Sequence, residues 1–231
     1  MAPLLPSAPH RRFLFLQGPI SPFFRELAAT LREYGHATWR INLCLGDRLF
    51  WDGSFATDYR GRARDWPGFI ADYLERERIT DLVLLGEQRP YHKAAIAAAR
   101  VRDIAVTVTD YGYLRPDWIV LERDGMGAES RFPRDPAAIR ALARDCPAPD
   151  LRHLYGDDFA LQARWDVLSH LASLLPLPFP HYESYLLHHP VPAYLGTGVR
   201  LLRRRRDTAR AAEALAALAP RGPLWLFAMH C

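Results

Sequence analysis

One alternation constrains this chain more than anything else. "RRFLFLQG", Arg11 to Gly18, is an apolar run with no polar residue at its centre, and it stops at a glycine. "SPFFRELAATLREYGH" follows at once, with Phe24, Leu27, Ala28, Leu31 and Tyr34 at helical spacing. Ser21 is placed to cap this helix, Pro22 suits its first turn and Gly35 closes it. "ATWRINL" then reads as a second strand. A first strand that is apolar throughout is buried on both faces, which is the pattern of a parallel sheet covered by helices.

The same rhythm continues. "DWPGFIADYLERERI" predicts a helix and "TDLVLLG" a third strand; "RPYHKAAIAAARVRD" predicts another helix and "IAVTVTD" a fourth strand ending at Asp110. The fold class expected is therefore α/β, a Rossmann-like parallel sheet with flanking helices. Beyond Pro133 the pattern turns helical, in "DPAAIRALARD" and "DDFALQARWDVLSHLASLL". The expected organisation is a Rossmann-like domain over residues 1–175, a Pro-rich link and basic helix over 176–221, and an apolar strand over 222–231. That last run, "GPLWLF", reads equally as the entry to a second α/β domain or as an extra edge strand of the first sheet.

Composition narrows the function classes. The 231 residues, 49% hydrophobic, suffice for one large domain. A net charge of +4 favours acidic partners such as phosphates, sugar nucleotides or anionic lipid. The cations are nearly all arginine, with Lys93 the single lysine, which reads as coding bias before nucleic-acid binding. Cys44, Cys146 and Cys231 are scattered, without the spacing of a zinc site, and suit a reducing compartment. "FLFL" is too short for a signal-peptide core, and no apolar stretch is long enough to cross a bilayer. The expected location is the cytoplasm, with "LRRRR", Leu202 to Arg206, either resting on anionic lipid at the inner face of the membrane or forming a solvated helix face.

Parallel sheets gather ligands at the carboxyl ends of their strands. Four polar segments fall there. In "QGPISPFF", Gly18 lets the backbone approach a ligand and the next helix offers its N-terminus to an anion. "INLCLGDRLFWDG" supplies Asp47. "GEQRPYHK" clusters Glu87, Arg89, His92 and Lys93: arginine grips phosphate or carboxylate, and histidine exchanges protons near neutrality. "TDYGYLRPDW" places the Asp110 carboxylate at a strand end, a sharp turn at Gly112 and a cation at Arg115. Taken one at a time, each is more simply a tight turn, a capping carboxylate or a solvated helical turn. Taken together, Asp110, Glu87 and His92 converge if their strands are neighbours.

Four of these stretches, "FLFLQGPISPFFRELAATLREYGH", "INLCLGDRLFW", "LLGEQRPYHKAAI" and "DYGYLRPDWIVLE", occur in an order and at a spacing that resembles the capsule polysaccharide biosynthesis and export family, in its KpsS/LipB-like branch. The resemblance covers about Arg12 to Arg134. It implies one half of a GT-B-like, retaining β-Kdo glycosyltransferase, which builds the Kdo linker on a lysophosphatidylglycerol anchor with CMP-Kdo as donor and no further cofactor. The implied partners are CMP-Kdo, lysophosphatidylglycerol, an anionic membrane surface and other capsule-assembly proteins, and not nucleic acid. "DYGYLRPDW" corresponds to the family pattern Glu-x-Gly-Tyr-Leu-Arg-Pro-Asp-Trp, with Asp110 one methylene shorter than the glutamate and Tyr111 where relatives are often acidic. The resemblance makes Asp110, Arg115 and His92 the catalytic candidates, and Gly18, Asp47, Arg89 and Glu87 the substrate-binding ones, with no metal. Because relatives continue past the "PLWLF"-like strand into a donor-binding domain, this chain is expected to be truncated and to lack transfer activity by itself. A non-catalytic module that binds acceptor or partner, and an inactive remnant, are the alternative readings.

Overall fold

A computed structural model describes residues 10–112, 117–156, 158–186 and 188–218. The chain divides into two units, Met1–Tyr185 and Leu186–Cys231. In the first, β1 (Arg12–Phe15), α1 (Phe23–Glu33), β2 (Ala37–Asn42), α2 (Leu45–Leu49), β3 (Ala56–Asp58), α3 (Trp66–Arg76), β4 (Asp81–Leu85), α4 (Pro90–Arg100), β5 (Ala105–Tyr111) and β6 (Ile119–Arg123) follow one another. Then come α5 (Pro136–Asp145) and α6 (Phe159–Ser173). The strands form one sheet in the order β3-β2-β1-β4-β5-β6. All neighbours are parallel except β6, which returns antiparallel along β5. The expected Rossmann-like α/β sheet is what the chain forms.

Period-two alternation divides the sheet's apolar residues between two cores. Leu14 and Leu16 of the β1 segment, with Leu82 and Leu84 of β4, pack with Trp66, Ile70 and Leu74 of α3 and Ala95, Ile96 and Ala99 of α4. Phe15 and Val83 pack on the other face with Phe24 and Ala28 of α1 and with Trp51. This two-sided burial is why β1 and β4 read as continuous apolar runs. Gly35 does close α1: its φ of 81° is a left-handed turn, and His36 N–H donates to Leu31 O at 3.0 Å. Ser21 does not cap the helix. Its Oγ accepts from Phe23 N–H at 3.4 Å, and Pro22 holds the cap position.

Three elements were not legible in the sequence. β3 has only three residues, "ATD", without an apolar run. α2 has five. β6 is an edge strand whose residues alternate between exposed and half-buried, and it follows a connection that reads as loop. The second unit holds α7 (Pro190–Leu218), which falls within the segment 176–221 where a basic helix is expected. Pro190 and Pro192 sit in its first turn, where the missing N–H groups would have had no intrahelical partner. Among the described residues no helix is long and apolar enough to cross a membrane. The predicted strand at 222–227 lies outside the described residues.

α6 packs against α2 at Gly46. A Cβ there would lie 2.4 Å from Ser173 Oγ and 2.8 Å from the Ser169 carbonyl oxygen, and the carbonyl cannot swing away. Gly46→Ala is expected to cost about 1–3 kcal/mol through overpacking. It would be read as a lower urea midpoint with an unchanged m-value, and an unchanged midpoint would remove this contact as a determinant of α6 docking.

Candidate functional site

Since β1, β2, β4 and β5 are parallel, the segments that follow them share one edge of the sheet. Gly18, Asp47, Glu87, Arg89, His92 and Asp110 all lie at that edge. From β1 the chain winds outward to β2 and β3, and from β4 to β5, so the connections diverge between β1 and β4 and leave a crevice there.

A buried polar cluster lines the β1 side of this point. Arg40 of β2 is 4% exposed. Its guanidinium donates to the Leu16 carbonyl and, at 3.2 Å, to Asn42 Oδ1, and it pairs with the Asp47 carboxylate at 3.3 Å. Burial lowers the Arg40 pKa, an effect that Asp47 opposes. Asp47 also accepts from the N–H groups of Leu43 at 2.8 Å and Cys44 at 3.3 Å, which fixes the turn into α2. Gln17, 4% exposed, points its amide nitrogen at the Asp47 carboxylate, 3.3–3.4 Å away, and donates to Tyr182 Oη at 3.3 Å. The Cys44 thiol accepts from Ser173 Oγ at 3.2 Å, and burial with the nearby Asp47 charge pushes its pKa up to about 12. It is a packed thiol, not a nucleophile.

On the β4 side, Arg89 stands at the N-cap of α4. Its guanidinium lies 4.1 Å above the Tyr185 ring, and among the described residues no carboxylate pairs with it. His92 is fully buried in the first turn of α4, with Nδ1 2.7 Å from the Gly86 carbonyl oxygen. Burial, and then the Arg89 and Arg40 charges, press its pKa down to about 3. Where the sequence suggests a histidine exchanging protons near neutrality, the structure places a buried ring. This imidazole is neutral, enclosed and engaged with its own loop. Glu87 accepts from Met126 N–H at 3.3 Å, so it ties the β4–α4 turn to the segment after β6. Gly18 has Phe24 as its close neighbour: a Cβ would sit 2.4 Å from Phe24 Cδ2, so the glycine serves helix packing.

The β5–β6 connection completes the edge. Asp110 is exposed and accepts from Tyr111 N–H at 2.7 Å. Gly112 N–H donates to the Trp118 carbonyl at 2.9 Å, closing the hairpin. Arg115 lies outside the described residues. Asp117, just beyond, accepts from Leu154 N–H at 2.9 Å, Tyr155 N–H at 2.8 Å and His153 Nδ1–H at 2.9 Å. Burial alone would raise its pKa, but these donors outweigh it and hold the carboxyl below its usual range. Although β4 and β5 are neighbours, Asp110, Glu87 and His92 each bond elsewhere and do not meet.

A strap, Phe179 to Tyr185, lies over the crevice. Tyr182 stacks on Tyr91 at a centroid distance of 6.2 Å and meets Gln17, Tyr91 Oη accepts from Glu183 N–H at 3.4 Å, and Tyr185 covers Arg89. A cavity of about 360 Å³ lies between the strap residues Pro180 to Glu183 and the side chains of Arg62 and Arg64, and another of about 530 Å³ lies beside Asn42, Arg48, Asp58 and Arg60.

The capsule polysaccharide biosynthesis protein family model matches residues 80–228, which takes in β4, α4, the β5–β6 hairpin and the strap. The chain belongs to this family. It is 32% identical over 144 residues to the capsule polysaccharide export protein KpsS of Escherichia coli, covering 62% of this chain and 37% of that protein. It is 34% identical over 133 residues to the capsule polysaccharide modification protein LipB of two Neisseria meningitidis strains, of serogroups A and B, covering 57% of this chain and 31% of LipB. The chain thus spans about a third of the length of the curated relatives it matches.

Sequence reasoning passed over Arg40, Gln17 and the strap tyrosines. Thr38, Arg40 and Asn42 are buried polar residues of β2, a stretch that the sequence marks only as a strand. Nothing around Arg40 in the sequence signals its burial.

The folded pKa of His92 lies below the unfolded value near 6.5, so the unfolded chain takes up this proton first. The group therefore supports stability fully above about pH 6.5, and that support is lost as pH falls toward 3. His92→Asn keeps a donor for the Gly86 carbonyl but cannot titrate. Between about pH 6 and pH 4.5 the parent should lose up to about 1.4 kcal/mol per pH unit more than the variant, measured by urea unfolding. Equal slopes would show that His92 is not held neutral.

Proposed function

We propose that this chain works in capsule polysaccharide assembly as one half of a retaining β-Kdo transferase, forming the wall of the cleft opposite a CMP-Kdo-binding domain and taking a lysophosphatidylglycerol anchor as acceptor. What carries the reading is that the family match includes Arg89, the Asp110–Trp118 segment and the strap, and that the described part of these converges on the carboxyl edge of the sheet. Asp110 is the candidate nucleophile, exposed at a strand end and held by its own backbone. Arg89 is free of any described carboxylate partner and suits the carboxylate of an acidic sugar or a phosphate. Arg115 is the proposed second cation, on the strength of its place in the DYGYLRPDW segment. The exposed Arg203–Arg206 run of α7 suits an anionic membrane surface at the cytoplasmic face.

One observation favours a second reading, a binding module that turns nothing over. His92, the only histidine in the polar strand-end segments, is neutral and enclosed, which leaves proton transfer to another group. Both readings are tested by incubating the purified chain with CMP-Kdo and lysophosphatidylglycerol, alone and with a separately expressed second α/β domain, and following product by mass spectrometry. Product is expected only with the second domain present, and Asp110→Asn should lower it by about two orders of magnitude or more. Acceptor binding without product in the reconstituted reaction would favour the binding module. Neither binding nor product would overturn both.

A further inference from the structure

β6 leaves one side of the sheet open. It is the last strand in the order β3-β2-β1-β4-β5-β6, and among the described residues no strand lies beyond it. Trp118 O accepts from Gly112 N–H at 2.9 Å, and Asp124 N–H donates to Val106 O at 3.0 Å, so the even-numbered residues of this stretch direct their backbone groups at β5. In an antiparallel ladder successive residues bond alternately to the two sides, which turns the N–H and C=O groups of Ile119, Leu121 and Arg123 outward. The side chains of the same three residues stand on the exposed face of the strand, with Ile119 46% and Leu121 56% exposed. Native sheets blunt such an edge with a proline, a bulge or a central charge. "IVLER" has no proline, its register with β5 runs unbroken from Ile119 to Arg123, and its charges sit at one end. A cavity of about 650 Å³ lies against Leu121, Glu122 and Arg123, so there is open space beside the strand.

The sequence along this edge is complementary to itself. Run antiparallel to a second copy about Val120, "DWIVLER" sets Ile119 opposite Leu121, Val120 opposite Val120 and Asp117 opposite Arg123. Outward-facing residues then meet outward-facing residues, as the ladder requires. Apolar pairs and opposite charges directly across a ladder are both favourable. Among the described residues no carboxylate pairs with Arg123. Asp117 holds its place by accepting from His153, Leu154 and Tyr155. The neighbouring symmetric registers lose the match. Centred on Leu121, the pairing sets Ile119 against Arg123 and Val120 against Glu122; centred on Ile119, it sets Leu121 against Asp117.

We propose that β6 is a homodimerisation edge, where a second copy of this chain lays its own β6 antiparallel to the first about a two-fold axis at Val120 and joins two sheets into one. The occupant is a second copy because the same seven residues supply both members of the charge pair and of the apolar pairs. Such an interface is isologous, so it closes at the dimer and does not propagate. The outward backbone groups exchange water for each other, so each ladder bond adds little net stability, and the matched side chains decide the register.

The test uses the full chain. Sedimentation equilibrium should show monomer and dimer in exchange. Arg123→Asp, checked for folding by circular dichroism, should weaken the dimer about tenfold by setting two pairs of like charges across the ladder. Position is read by cross-linking. The non-hydrogen-bonded pair on the axis brings its Cα atoms to about 4.5 Å, within the span of a disulfide, whereas the two copies of Glu122 are far apart in this register. In a chain carrying Cys146→Ser and Cys231→Ser, which keeps only the buried Cys44, Val120→Cys should give a covalent dimer under oxidised glutathione and Glu122→Cys should not. A chain that stays monomeric at every concentration would overturn the proposal. So would a dimer that Arg123→Asp leaves unchanged, or one that fails to cross-link through Val120→Cys.

Discussion

The carboxyl edge of this sheet depends on keeping one buried cation satisfied. Arg40 sits inside β2 with almost no solvent contact, and an unpaired charge there would cost several kcal/mol. Its partners come from three places. The Leu16 carbonyl is at the end of β1, Asn42 is two residues along β2, and Asp47 is in the first turn of α2. Asp47 can serve only because the chain turns sharply after Leu43, and that turn is held by its carboxylate accepting from Leu43 and Cys44. The demand of one guanidinium thereby sets where β1 ends, how β2 turns and where α2 begins.

The same demand shapes the crevice. With one side of Asp47 committed to Arg40, its remaining capacity orients the Gln17 amide and so decides which end of that amide is left without a partner. Arg89, across the switch point, has no such carboxylate and rests on an aromatic face instead. A neutralised cation on one side and an uncommitted one on the other give the crevice a directional field, and Arg89 contributes to the depressed pKa of His92 between them.

Much of the fold was legible because burial on both faces writes itself into β1 and β4 as unbroken apolar runs. The short α2 and β3 were not, since five and three residues carry too little periodicity. β6 escaped for a different reason. An edge strand has one open side, and its alternation of exposed and half-buried residues resembles a loop with scattered hydrophobics. At the site, segment ends were legible and side-chain commitments were not. Asp47, Arg89 and Asp110 sit at the edge where parallel strands require, but nothing in "GEQRPYHK" tells that Glu87 turns to Met126 while His92 turns inward. Arg40 lay in a stretch read only as a strand, with nothing to mark its side chain as buried.

The Asp117 clamp has a consequence for how this part of the chain can vary. One carboxylate gathers three donors from residues 36 to 38 positions later, so β6 and α5 form an excursion pinned at its base. Closing a flexible loop grows costlier only slowly with length, by about 0.6 kcal/mol for each doubling. Residues could be gained or lost between Asp135 and Arg152, beyond the contacts of Met126 and Ser130, with little thermodynamic effect on the sheet, because the staple and not the contour length holds the return point. Within the family, that makes the stretch around α5 a place where a lineage can graft new surface beside the sheet without rebuilding the sheet itself.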